Sequence, residues 1–277
     1  RAFLPAPCVA ETGAVYHRGG GQEIDILAAL RVPYARLTYY TQQAGEAYDA
    51  AIAAQLVALD AIGVEPLIVV HDFTPAYEFG RMDALVRRFA GRTWQLGNEY
   101  DAQPWRGAGA GGAAYADWMA RVGADARLVD PTCRFVASGC ATADGQALPG
   151  VRPDAARWAA WMRGLMSNAS AVALLDAVAV HTYLDSVTAV AARVQAVHDV
   201  VRGRVPVWIT EAAGYGLPQD DARQSAALRA LVSLASRMGV PRLYAYCVWD
   251  DTDDGYGLVR KGGEPRPACD VVREGQR

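Results

Sequence analysis

Two kinds of hydrophobic pattern take turns along the chain. One is a short, nearly continuous apolar run. The other is a longer stretch whose apolar residues recur at helical spacing. Pro66-Leu67-Ile68-Val69-Val70-His71 has almost no polar alternation, as expected of a strand buried on both faces. Residues 48–62 place Ile52, Leu56 and Leu59 on one stripe of an alanine-rich helix, and Gly63 ends it. The same reading predicts strands at 34–40, 66–71, 93–99, 135–139, 177–183, 205–211 and 242–249. Helices are predicted at 24–30, 48–62, 82–90, 113–128, 155–167, 187–201, 225–238 and 268–273.

Strand and helix alternating in this way give parallel strands joined by helical crossovers. An eighth strand is needed at the start, and residues 7–17 are the place for it. Eight units close into a (β/α)8 TIM barrel, and 277 residues fit the roughly 250 that such a barrel uses. A doubly wound open sheet is the alternative. It is disfavoured because no Gly-rich dinucleotide fingerprint follows the early strands. No linker or shift in composition divides the chain, so residues 1–277 are expected to form a single (β/α)8 catalytic domain.

Composition narrows the function classes. The net charge is −3 with no basic block, so nucleic acid is not an expected partner. No apolar run reaches the roughly 18 residues of a membrane span, and the start shows no signal-peptide pattern, so a soluble protein of unassigned compartment is expected. The five cysteines are scattered without C-x-x-C spacing, which argues against zinc. Cys140 and Cys247 read as small core residues, while a Cys8–Cys269 bridge is conceivable without support from sequence. No metal or cofactor is expected, and oligomeric state is not legible. Asn168-Ala169-Ser170 fits a glycosylation sequon, a triplet common by chance.

The chemistry is concentrated at strand ends. Glu99 closes one apolar run and Glu211 another, and a carboxylate there is costly unless it has a partner or a task. One such Glu is as readily explained by an ion pair with an Arg. Two of them, on two strands of one barrel, suggest the carboxylate pair of glycoside hydrolysis. Barrel active sites lie at the C-terminal ends of the strands. There the sequence also puts Arg36, His71-Asp72, Asn98, His181-Thr182-Tyr183 and Trp249-Asp250-Asp251. Trp94, Trp158, Trp161 and Trp208 read as packing residues, Trp105 as either loop packing or a distal subsite, and His17 and His198 as surface or structural. The glycine run 107–112 lacks the Lys-Ser/Thr of a phosphate loop. The aspartates at 250, 251, 253 and 254 lack EF-hand spacing and read as a solvated loop, from which Asp250 or Asp251 could reach substrate.

This ordered set resembles glycoside hydrolase clan A, the retaining (β/α)8 glycosidases, over nearly the whole chain from Ile24 onward. The Asn-Glu pair ending strand 4 matches Asn98 and Glu99, and the strand-7 glutamate matches Glu211. His181 and Tyr183 on strand 6, Trp249 on strand 8 and Arg36 on strand 2 also match, as does the tail from Tyr256 to Ala268. The resemblance implies a retaining hydrolase of β-glycosidic bonds in oligo- or polysaccharides, with Glu99 as acid/base and Glu211 as nucleophile. Arg36 is then expected beside Glu211, keeping it ionised. Tyr183 is expected to donate to Glu211, and Asn98 to reach the sugar 2-hydroxyl. Trp249 would be a sugar platform, and His71 and His181 would contact sugar hydroxyls, with satisfied core histidines as the alternative for both and a purely structural ion pair as the alternative for Arg36. Short loops favour an open groove and endo action. The rivals are a catalytically silent carbohydrate-binding barrel, a transglycosylase using the same pair, and a metal-dependent hydrolase using His71 and His181.

Overall fold

The computed structural model describes residues 10–16, 21–71, 79–101, 111–141, 155–184, 186–214, 220–250 and 255–275. Its strands are β1 (Glu11–Tyr16), β2 (Tyr34–Tyr40), β3 (Glu65–His71), β4 (Thr93–Asn98), β5 (Arg134–Gly139), β6 (Leu175–Leu184), β7 (Val207–Gly214) and β8 (Arg242–Ala245). They are parallel and close in chain order into one barrel. Closure is made by β1 pairing with β8, Glu11 opposite Arg242 and Ala14 opposite Ala245. The helices are α1 (Gly21–Leu30), α2 (Glu46–Ala61), α3 (Phe79–Arg88), α4 (Gly112–Val129), α5 (Ala155–Met166), α6 (Ala169–Leu174), α7 (Val187–Val201), α8 (Asp221–Arg237) and α9 (Ala268–Glu274), with a 3-10 turn at Thr41–Gln43. The (β/α)8 architecture expected from the sequence is therefore present, and its first strand lies within residues 7–17.

The differences have local causes. Helix α8 starts four residues ahead of the predicted 225 because Asp220 caps it, its side chain accepting from Arg223 N at 2.7 Å. Helix α6 was not anticipated. Asn168 caps it, accepting from Ala171 N at 3.0 Å while its Nδ2 donates to Asp117 at 2.7 Å, so the sequon side chain is engaged at both ends. Strand β7 runs on past Glu211 to Gly214, so Glu211 does not close its strand. Strand β8 stops at Ala245 instead of 249. Beyond it Leu258 N donates to Cys247 O, and Trp249 pairs with Val259.

Two layers of apolar side chains hold the barrel. The outer layer lies between strands and helices and includes Leu56, Met82, Trp94, Trp118 and Trp158. The inner cluster fills the barrel with Val15, Leu67, Val136, Ala177, Ala179, Trp208 and Tyr244. Small alanines on β6 make room for the large Trp208 and Tyr244 rings, so the interior is packed. At the N-terminal end the Arg242 guanidinium lies 3.7 Å from the Tyr34 ring centroid and 4.3 Å from that of Trp208. It pairs with Glu65, which also takes Arg134 at 2.6 Å. This plug closes one end and leaves the other for chemistry. Trp161 is also buried, as expected of a packing residue, and so is His198, whose pKa burial lowers. Cys133, Cys140 and Cys269 are free, buried thiols, Cys247 is buried with its Sγ donating to Trp249 O at 3.2 Å, and Cys8 lies outside the described residues. Gly112 opens α4 against the α5 backbone, where an added Cβ would meet Trp161 O at 1.9 Å.

Candidate active site

Glu211 points into the barrel because β7 carries an extra residue. Ala179 faces Trp208 and Val180 faces Ile209, but His181 faces Glu211, so Thr210 is left without a partner in the register. A bulge of this kind reverses the alternation of the strand beyond it. Trp208 and Glu211 thus share the inner face although their numbers differ in parity. On β6 the alternation is regular, and Ala177, Ala179, His181 and Tyr183 follow one another on that face.

Donors surround Glu211. Arg36 Nη1 donates to Oε1 at 2.8 Å and the Tyr183 hydroxyl donates to Oε2 at 2.6 Å. His181 Nδ1 lies 3.5 Å from Oε2 and 2.8 Å from Glu99 Oε1. Glu99 and Glu211 are 6 % and 7 % exposed, and His181 is fully buried. Burial and the adjacent Glu211 charge raise the Tyr183 pKa well above that of an ordinary phenol, so its hydroxyl keeps its proton and remains a donor. One carboxylate oxygen from each glutamate and His181 Nδ1 all lie within 4.8 Å of one another. By spacing alone these three atoms could ligate a cation. The Arg36 guanidinium already on Glu211 opposes a second positive charge there. Among the described residues, no such group joins His71 to His181.

The end of β4 and the residue that follows it set the direction of Glu99. Gly97 has φ +92° and Glu99 φ +54°, both left-handed. A non-Gly residue there carries strain of about 1–3 kcal/mol unless its surroundings hold it. The holding contacts are visible. The Tyr100 ring lies over Gly97, where a Cβ would come within 2.2 Å of it. Tyr100 N donates to Ser138 Oγ at 3.1 Å, and Ala141 N donates to Asp101 Oδ1 at 2.8 Å. Asn98 accepts from Arg36 Nη2 at 2.7 Å.

The structure therefore brings Arg36, Asn98, Glu99, His181, Tyr183 and Glu211 together. His71 ends β3, half-buried, with its ring 5.6 Å from that of Tyr40. Trp249 is half-buried, and its backbone pairs with Val259. The rings packed edge-on against Tyr183 are instead Tyr246 at 5.9 Å and Tyr256 at 5.8 Å. The reading of Asp250 as part of a solvated loop from which it could reach substrate is corrected. It is 2 % exposed, pairs with Arg266 and accepts from Gly255 N, because a buried carboxylate needs charged or donor partners. Asp72, Trp105, His17 and the aspartates at 251, 253 and 254 lie outside the described residues.

Three residues were missed. Gln95, fully buried on β4, accepts from Arg36 Nε at 3.2 Å. A glutamine within an apolar strand was the available signal. Asp101 sits 3.4 Å from Arg157, and burial, with a smaller contribution from Glu99, pushes its pKa up to about 6 against the pull of Arg157. Gly139 leaves the space that the His181 ring fills.

The fold has many solved counterparts. An exo-β-1,4-mannosidase from Opitutaceae bacterium strain TAV5 superposes with a TM-score of 0.68 at 19 % identity; the match covers 100 % of this chain and 61 % of that one. An endoglucanase from Pseudomonas stutzeri gives 0.71 at 13 % identity, covering 99 % and 97 %. A family 51 α-L-arabinofuranosidase from Bifidobacterium longum gives 0.69 at 14 %, covering 100 % and 74 %. Likeness at these identities shows the barrel and leaves the substrate open. A search of curated protein sequences found no match. In sequence, the profile of the family described as glycosyl hydrolase catalytic core matches residues 104–266, which include Glu211. That match spans more than half of the chain and agrees with the clan A resemblance. The chain belongs to the glycosyl hydrolase catalytic core family and is a glycoside hydrolase.

Proposed function

We propose that this glycoside hydrolase cleaves β-glycosidic bonds with retention of configuration, Glu211 acting as nucleophile and Glu99 as acid/base. The carrying observation is the spacing and asymmetry of the pair. Their nearer oxygens lie within 4.8 Å, which suits the roughly 5–5.5 Å of retaining carboxyl pairs rather than the 6.5–9.5 Å that admits a water. Both oxygens of Glu211 accept from donors, Arg36 and Tyr183, a setting that favours the ionised form and fixes its direction. Glu99 meets His181 alone among these groups.

In the first step a Glu211 oxygen bonds to the anomeric carbon. The bond to the leaving oxygen breaks, and Glu99 delivers its proton to that oxygen. Glu99 then takes a proton from water, which attacks the anomeric carbon and releases Glu211. Asn98 Oδ1 is taken by Arg36, so its Nδ2 is the end suited to the sugar 2-oxygen. The substrate class is a β-linked oligo- or polysaccharide, as for the endoglucanase and exo-β-1,4-mannosidase of similar fold. The segments that follow the strands are short in sequence, which favours endo action.

A 2-deoxy-2-fluoro-β-glycoside with a dinitrophenolate leaving group tests the assignment. Mass spectrometry should find the sugar on the peptide containing Glu211, and NMR of early products should show the β-anomer. Glu99→Ala should spare dinitrophenyl substrates and regain turnover with azide. An α-anomeric first product, or a label on another residue, would sink the proposal.

A further inference from the structure

The buried amide of Gln95 makes two hydrogen bonds that point in opposite directions. Its Oε1 accepts from Arg36 Nε at 3.2 Å, and its Nε2 donates to Gly97 O at 3.0 Å. Reversing the amide would face NH2 against the Arg36 N–H and oxygen against the Gly97 carbonyl, losing both bonds, so its orientation is set. The guanidinium is held from three sides, by Gln95, by Asn98 at 2.7 Å and by Glu211 at 2.8 Å. Gly97, whose carbonyl the amide holds, is the left-handed residue at which the chain turns towards Asn98 and Glu99. Gln95 thus touches both arms of the site, the cation on Glu211 and the turn that carries Glu99.

We propose that Gln95 is a positioning residue that aims Arg36 at Glu211 and fixes the β4 turn beneath Glu99. The inference rests on the roles proposed above for those two glutamates. A neutral amide suits the place for a physical reason. Arg36 carries one positive charge, and a neutral acceptor on Nε orients it without competing for that charge. A carboxylate on the same spot would share the cation with Glu211 and would also face the Gly97 carbonyl with no proton to donate. An apolar side chain of similar length would leave Arg36 Nε–H and Gly97 O without these partners in a buried place.

Two variants separate positioning from mere packing, with Glu211→Ala as reference. Gln95→Glu keeps the shape and adds a charge; Gln95→Met keeps the length and removes both hydrogen bonds. The Glu211 carboxyl is followed by 13C NMR in glutamate-labelled protein, assigned by its loss in Glu211→Gln. In Gln95→Glu it should titrate about one pH unit higher than in wild type, because a like charge now shares its cation. The acid limb of kcat/KM on 2,4-dinitrophenyl β-cellobioside should move with it, and kcat should fall about tenfold or more. In Gln95→Met kcat should fall by a similar factor, with KM little changed and cooperative unfolding retained. Unchanged Glu211 titration in folded Gln95→Glu overturns the inference. If that variant does not fold, wild-type kcat in Gln95→Met overturns it and a tenfold lower kcat supports it. A shifted titration together with full turnover by Glu211→Ala would uphold the positioning of Arg36 and remove the nucleophile assignment instead.

Discussion

Gly139→Ala tests how tightly the site is packed from behind. Gly139 ends β5 beside the buried ring of His181 and is not among the left-handed glycines, so alanine meets no backbone penalty there. The added methyl would lie 2.4 Å from His181 Nε2 and 2.7 Å from Cδ2. Ordinary contact between such atoms is about 3.5 Å, so the ring must retreat by roughly 1 Å. The ring is fully buried, and its Nδ1 faces Glu99 and Glu211 at 2.8 and 3.5 Å, so a retreat pushes it against the two carboxylates. Forcing a methyl into such a site costs about 1–3 kcal/mol, offset by about 0.4–1 kcal/mol from the stiffer unfolded chain. A misplacement of about 1 Å costs on the order of a hundredfold in rate. The expected result is a hundredfold lower kcat/KM on unactivated β-glycosides, a smaller loss on dinitrophenyl glycosides that need no acid, and a net destabilisation of about 1–2 kcal/mol in urea titration. Wild-type turnover on the unactivated substrate with unchanged stability would refute the claim that His181 is wedged between Gly139 and the carboxylates.

Tyr183→Phe removes the donor on Glu211 Oε2 and should lower kcat about tenfold or more with little change in stability, read by steady-state kinetics beside thermal unfolding. The pKa of Asp101 rises from 3.8 to about 6 on folding, so its contribution to stability is full below pH 4 and is lost as pH rises to 6. Between pH 4.5 and 7.5 this group should therefore cost wild type about 2 kcal/mol. Asp101→Asn should remove that much of the pH dependence in urea titrations, and an unchanged slope would contradict the buried, proton-binding state. Gly164→Ala gains about 1 kcal/mol of helix propensity, yet its methyl would sit 2.6 Å from Ala113 N. Calorimetry should show a lower Tm, because α4 backbone must move; a higher Tm would mean that the two helices separate freely.

The barrel was legible because its strands are buried on both faces and its helices on one. Apolar runs such as 66–71 and stripes such as Ile52, Leu56 and Leu59 differ in period whatever they pack against. Helix boundaries were less legible. The caps at Asp220 and Asn168 lie ahead of the apolar stripe, and α6 is too short to show one. The chemistry-bearing positions Arg36, Asn98, Glu99, His181, Tyr183 and Glu211 could be picked out in sequence because charged and polar groups stand out in apolar strands. Their contacts could not. Glu211 faces inward only because Thr210 is an extra residue in the register between β6 and β7, and a register is a relation between two strands. Gln95 stands out as a polar residue in an apolar strand, but its task shows only when Arg36 arrives from a neighbouring strand, and Gly139 looks like an ordinary strand residue until His181 arrives beside it. Asp250 looks available until Arg266 folds back onto it. Periodicity is set by neighbours along the chain, so the sequence alone determined the alternating elements and the barrel they imply. Which atoms meet at the mouth depends on strand pairing, bulges and ring closure between distant segments, and that only the tertiary structure decided.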